Sequence, residues 1–368
     1  MLACAVAACG DDVAPPAWQW DLPAGFPVPV VPVDNPMSAA KVELGRHLFY
    51  DRRLSINTTM SCATCHLPEQ AFADGKIVPE GATGEFLARN SPGLQNVAYL
   101  APYTWANPTL GTLEAQVVVP MFGDRPIELG TGEDLQGILA RLAAEPRYPP
   151  LFAAAFPHDT QPIHRASIIS AIASFMRSLI RGGSPADRER AGNTNGALSE
   201  SALRGKALFF SERTHCSRCH GGLNFTVATS TDEPRDAPVY ANNGLYNVGN
   251  AGRYPSDNPG LAAITGQPGD DGKFRVPPLR NLTLTAPYMH DGSVATLEDV
   301  VDNYARGGRV LVDGPLAGDG ALHPNKSPLV AGFALTAQER EGLLAWLRSL
   351  TDEGFGGDPR FADPWTTR

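Results

Sequence analysis

The sequence predicts an all-α chain built from two copies of one domain, with long irregular loops between its helices. Three observations predict it. A five-residue cysteine motif occurs twice, as Cys62-Ala-Thr-Cys65-His66 and Cys216-Ser-Arg-Cys219-His220. The segments around the two motifs repeat one another. Apolar residues recur at helical spacing, with no alternation of the kind that marks a half-buried strand. The 37 glycines and 33 prolines, roughly a fifth of 368 residues, account for the loops. The expected layout is a first copy over 38–195, a second over 196–352 and a tail over 353–368.

The elements follow in chain order. Residues 1–13 end a truncated secretory signal with a lipoprotein-type box, Val6-Ala-Ala-Cys9, which makes Cys9 a candidate lipid anchor. Residues 14–37 hold seven prolines and read as an extended tether. Gly45-Arg-His-Leu-Phe49 precedes the first cysteine motif and Gly205-Lys-Ala-Leu-Phe209 the second, so a leading helix is expected before each. Residues 92–105 align without gaps with residues 277–290, and Thr-Leu-Glu follows both, at 112–114 and 296–298. In that alignment Trp105 takes the place of His290. Ile168, Ile169, Ile172, Phe175, Met176, Leu179 and Ile180 form one apolar helix stripe, ended by Gly182-Gly183. A second helix opens on the capping box Thr336-Ala-Gln-Glu339 and carries Leu343, Leu344, Leu347 and Leu350. Residues 221–275 are rich in Gly, Asn, Asp and Pro and read as a functional loop region.

C-x-x-C-H is the attachment signature of c-type haem. Two thiols add to the haem vinyl groups, and the adjoining histidine sits under the iron. A Cys4 zinc site is disfavoured because the pairs, Cys62/Cys65 and Cys216/Cys219, stand far apart in the chain and both carry the histidine. A thioredoxin-like pair would need one strand-to-helix context rather than a repeat. Covalent haem attachment takes place outside the cytoplasm, in keeping with an exported, periplasmic protein held at the membrane only through a lipid on Cys9. The formal net charge of −9 argues against nucleic acid as partner. No apolar run is long enough for a membrane span.

The motif set resembles a known family. Arg89-Asn-Ser-Pro92, Pro126-Ile-Glu128-Leu-Gly130, Phe274-Arg-Val-Pro-Pro-Leu-Arg-Asn281 and Ala286-Pro-Tyr-Met-His-Asp-Gly292, with the two haem motifs, resemble the bacterial dihaem cytochrome c peroxidases and MauG over residues 36–352. The opening Trp18-Gln-Trp20-Asp-Leu-Pro-Ala-Gly-Phe26 is similar to MbnH-like dihaem enzymes. The resemblance implies two cytochrome c-like haem domains. The haem on Cys62, Cys65 and His66 would meet hydrogen peroxide, and the one on Cys216, Cys219 and His220 would handle electrons. Residues 67–91 contain no histidine and no methionine, so the first iron is expected to be open; His47, the nearest histidine, reads as a packed helix residue.

The resemblance also implies the remaining site residues. Glu128 matches the distal glutamate and Gln116 the distal glutamine, with a small insertion or deletion between them. From the residues alone, Glu128 reads as a surface acid at a helix start, with Glu114 as its competitor. Tyr304 occupies the position of the second iron's other axial ligand, while Met289 and His290 remain alternatives by residue type. Trp105 matches the tryptophan between the haems. Asn90, Thr285 and Pro287 match the positions that bind one calcium ion. The implied function is a peroxide-dependent oxidoreductase that reaches a high-valent dihaem state and oxidises a residue of a partner protein, a tryptophan by analogy with MbnH, the partner being a lipoprotein in that reading. The alternatives are a peroxide scavenger fed by a small redox protein and a non-catalytic dihaem electron carrier.

Overall fold

The computed structural model of the chain describes residues 18–193, 195–230 and 237–366. Cys9 and the signal-like segment lie outside the described residues. Helices α1 (Ala39–Tyr50) and α2 (Cys62–Cys65) lead into α3 (Leu113–Phe122), α4 (Leu135–Ala144), α5 (Tyr148–Ala155) and α6 (Arg165–Ser178). Then come α7 (Pro185–Arg190), α8 (Glu200–Phe209), α9 (Cys216–Cys219), α10 (Ala262–Thr265), α11 (Leu297–Arg306) and α12 (Ala337–Arg348). Strands are few and short. Antiparallel β1 (Tyr240–Ala241) pairs with β2 (Phe274–Arg275), and β3 (Val310–Leu311) with β4 (Gly318–Asp319). The first of these ladders falls in the expected loop region, where Gly- and Asn-rich sequence hides two-residue strands.

Two helix crossings organise the chain. Helix α1 packs on α6, and α8 packs on α12. A Cβ on Gly45 would stand 1.9 Å from the Ala171 carbonyl oxygen, and one on Gly205 1.8 Å from that of Gly342. Each Gly-[Arg/Lys]-x-Leu-Phe segment therefore supplies the glycine at which two backbones meet. The 92–105 and 277–290 segments also behave alike. Asn96 and Asn281 both adopt the left-handed conformation and begin short 3-10 turns. Asn96 N–H donates to the Leu179 carbonyl just past α6, and Asn281 N–H to the Leu350 carbonyl just past α12. Their side-chain oxygens then accept from the backbone N–H of Arg181 and of Asp352, respectively. Thr112 and Thr296 cap α3 and α11 by accepting from Ala115 N–H and Asp299 N–H.

The core divides accordingly. One apolar cluster joins Leu44, Leu48, Phe49, Leu113, Val117, Ile168, Ile172 and Phe175; a second joins Phe209, Phe225, Leu297, Val301, Leu343, Trp346 and Leu350. The capping box of α12 forms as expected, with Glu339 accepting from Thr336 N–H at 2.8 Å. Helix α6 ends at Ser178, before the expected glycine pair. Those glycines serve packing instead: a Cβ on Gly182 would strike the Phe26 ring, and one on Gly183 the Asp352 carboxylate. The described part of the proline-rich segment lies against the body, with Phe26 buried beside Tyr99 and Ile180. Asn35 is likewise buried and donates to Glu114. Residues past 352 return to the first cluster through Phe355 and Phe361.

Candidate active site

Both C-x-x-C-H motifs fold as a single helical turn with histidine at the C-terminal cap. All four thiols are unpaired. His66 Nδ1 lies 2.6 Å from the Phe72 carbonyl oxygen and His220 Nδ1 3.1 Å from that of Phe225. Donation from each Nδ1–H leaves Nε2 as a bare lone pair, the tautomer a metal requires. Burial lowers the affinity of both rings for a further proton, and His220 is brought down to about 4. Burial also pushes the Cys62 and Cys65 thiols up to about 12.

Beside the second motif opens a cavity of about 240 Å³. Cys216, Cys219, His220, Tyr304, Met289 and Trp105 are on its wall. Its lining is mostly apolar, with Leu297, Val300, Leu343 and Leu347 beside these groups. Unpaired thiols, an Nε2 aimed by a carbonyl and a large apolar slot fit a covalently attached haem, and the first motif repeats the thiol and histidine arrangement.

Near the first motif, Glu128 lies in the loop between α3 and α4, well before α4 begins at Leu135, so it does not start a helix. Its carboxyl is raised to about 7 by burial alone. The same charge disfavours the Cys62 and Cys65 thiolates, which places Glu128 near the haem-attachment turn. Its side chain has no hydrogen-bonding or ionic partner among the described residues. Glu114, the competing acid, is committed elsewhere: its Oε1 accepts from Arg177 at 2.8 Å and from Asn35 at 2.7 Å. Gln116, on α3, has a buried Oε1 without a partner. His47 is held in place, its ring edge-on to Trp365 at 5.4 Å and its Nδ1 3.0 Å from the Glu43 carbonyl oxygen.

Trp105 stands on the wall of the cavity beside the second motif. Its Nε1–H donates to the Asn90 carbonyl at 2.8 Å, and Asn90 N–H donates to the His290 carbonyl at 2.9 Å. Asn90, Thr285 and Pro287 line the same cavity as Trp105. The Asn90 amide nitrogen donates to the Lys76 carbonyl at 2.7 Å, which turns its side-chain oxygen away from that loop. His290 stacks flat on Phe274, 3.5 Å between ring centres, and burial brings it down to about 4. Tyr304, on α11, is pushed up to about 12 by burial, with the Asn243 side chain opposing the shift. Met289 Sδ accepts from Asn243 Nδ2 at 3.3 Å, so both candidate axial ligands converge on Asn243.

Sequence alone assigns no role to Arg275. This guanidinium is buried 5.8 Å from the Trp105 ring centre and its Nη1 lacks a partner. Its cross-strand neighbour Tyr240 also presents a buried, unpartnered hydroxyl. The Phe274-Arg-Val-Pro-Pro motif carries the signal, but only the β1–β2 pairing shows what stands opposite.

Comparison with known proteins accords with this geometry. Residues 39–195 match the family described as di-haem cytochrome c peroxidase. The chain is 34% identical to "Methylamine utilization protein MauG" of Methylorubrum extorquens, over 88% of this chain and 81% of that protein. It is 35% identical to "Cytochrome-c peroxidase IdrP1" of a Pseudomonas species, over 88% and 85%. Among solved structures, a MauG-like protein associated with microbial copper homeostasis superposes with a TM-score of 0.92 at 49% identity, over 95% of this chain and 100% of that one. With its two haem motifs, unpaired thiols and oriented histidines, the chain belongs to the di-haem cytochrome c peroxidase and MauG family.

Proposed function

We propose that this protein is an exported dihaem oxidoreductase in which hydrogen peroxide reacts on the His66 side and a partner protein is oxidised in turn. The observation that carries the reading is Glu128: a half-buried carboxyl, unpartnered among the described residues and raised to about 7, near the first haem-attachment turn. Haem iron, when bound, supplies cleavage of the peroxide O–O bond and storage of the two oxidising equivalents. The chain's residues supply the rest. Glu128 takes the proton from the incoming oxygen and returns it to the departing one. Gln116, with its buried and unpartnered Oε1, would be the second distal residue. No histidine or methionine lies in 67–91 to close the first site.

On the other side, His220 and Tyr304 would hold the second iron, and the Arg275 Nη1 and Tyr240 hydroxyl present donors for a carboxylate of the macrocycle. Trp105 would pass electrons between the two sites, and its N–H is fixed on a main-chain carbonyl. Asn90, Thr285 and Pro287 offer oxygen donors suited to calcium. The parallel roles of Gly45 and Gly205, and of Asn96 and Asn281, support two copies of one haem domain, over 38–195 and 196–352. The resemblance of the opening Trp18–Phe26 segment to MbnH-like enzymes supports a tryptophan of a partner protein as the substrate. The test is to mix the haem-loaded, fully ferric protein with peroxide, without prior reduction. A prompt visible-spectrum change supports the reading; a reaction that appears only after one-electron reduction would favour the peroxide scavenger.

A further inference from the structure

A second aromatic cluster packs against Trp105. Trp105, Phe274, Tyr254, Tyr246 and Met289 belong to one apolar cluster. Tyr254 and Tyr246 are both buried, with ring centres 5.6 Å apart and planes at 82°. Tyr254 is linked to the second haem site through Asn243, whose side chain lies 3.5 Å from the Tyr254 hydroxyl and also touches Met289.

The two phenols differ in what receives their proton. Tyr254 donates to the Asn242 amide oxygen at 3.1 Å, a neutral group that cannot keep a proton. Tyr246 donates to the Asp291 carboxylate at 2.6 Å, within the range of a charge-assisted bond. A phenol that loses an electron becomes a strong acid, so a tyrosine is readily oxidised only where a base already holds its hydrogen bond. Asp291 is itself braced by Ser293 N–H at 3.1 Å, and the Arg309 guanidinium lies 4.4 Å from the Tyr246 ring centre. Ser293 is exposed, so one layer of side chains separates Tyr246 from solvent.

We propose that Tyr246 is the redox relay by which electrons from an outside donor reach the peroxide-oxidised haem centre, with Asp291 as its proton acceptor and Tyr254 as the bridge inward. The proposal rests on the peroxide reaction argued above. The step balances. Tyr246 gives one electron through Tyr254 to the oxidised centre, which is reduced by one, and its phenolic proton moves to Asp291 Oδ2. The donor then returns one electron to the tyrosyl radical, and Asp291 returns the proton. Two such cycles, with two protons from solvent, complete the reduction of one hydrogen peroxide to two waters.

The experiment uses the haem-loaded protein with one equivalent of peroxide and no added donor, freeze-quenched for electron paramagnetic resonance. The wild type is expected to give a radical whose signal narrows when tyrosine is ring-deuterated. Tyr246→Phe should lose that signal while the first peroxide-dependent spectral change keeps its rate within twofold. Asp291→Asn should lower the radical yield at least fivefold. A tyrosyl signal that persists in Tyr246→Phe, or a peroxide reaction that proceeds with no tyrosyl radical, would overturn the relay while leaving the proposed function intact. A wild type inert to peroxide would overturn both.

Discussion

Replacing Glu128 by Gln removes the carboxyl proposed to transfer the proton at the first haem. The carboxyl is raised from 4.5 to about 7 by loss of hydration, and each unit is worth about 1.36 kcal/mol, so its ionised form is disfavoured by roughly 3 kcal/mol. Two consequences follow, with opposite signs. The group acts as base only when ionised, so the second-order rate of the peroxide reaction should climb with pH and level off above about 7. Glu128→Gln should abolish that inflection and lower the plateau by about 10²- to 10⁴-fold, the ordinary worth of a positioned general base. Stability runs the other way. A carboxyl raised in the folded state costs nothing at pH below its unfolded value and progressively destabilises up to its folded value. The variant should therefore gain stability relative to wild type between about pH 4 and 8, by at most about 3 kcal/mol. Stopped-flow mixing with peroxide across that range measures the first effect, and denaturant titration at both ends the second. A variant within threefold of wild type at pH 8, or a wild-type rate flat through pH 7, would refute the assignment.

Other perturbations test other parts. Tyr304→Phe should alter the low-spin absorption of the ferric protein while Met289→Leu leaves it unchanged; the reverse result moves the axial role to Met289. Gly45→Ala and Gly205→Ala each drive a methyl into a facing backbone carbonyl, so each should lose about 1–3 kcal/mol or more in thermal or denaturant unfolding. Unfolding midpoints equal to wild type would mean that the crossings are looser. Asp187 and Arg280 form a buried pair at 2.7 Å. Burial raises the Asp187 carboxyl, but the Arg280 guanidinium outweighs it and holds the group below its usual range. Asp187→Asn should cost about 3–5 kcal/mol at neutral pH. Wild type should lose that advantage on acidification through the carboxylate range, and a pH-independent difference would contradict the pairing.

How much of this is legible in sequence varies with the range of the contact. The haem motifs are local, and the histidine and both cysteines fall within about one helical turn. Asn96 and Asn281 sit at matched places in a repeat that needs no gaps. Nothing local, however, says that each ties down the end of a helix far along the chain, at Leu179 and at Leu350. Glu128 and Gln116 come from the family resemblance alone; their lack of partners appears only in three dimensions. Arg275 and Tyr240 stay unassigned in sequence because their meaning lies in a short ladder closed across a long loop. Residues 353–368 read as a plain tail, whereas Phe355 and Phe361 pack with Phe72 in the first core. Trp365 rests on His47 and Tyr148. Contacts between opposite ends of the chain leave no periodicity to read.

The central claim is that the His66 haem is open and the His220 haem closed in the resting protein. Electron paramagnetic resonance of the haem-loaded, fully ferric protein tests it most directly. One high-spin and one low-spin ferric signal of equal spin count are predicted. Two low-spin signals would show both irons capped by the chain, and would make this protein an electron carrier rather than a peroxide-reacting enzyme.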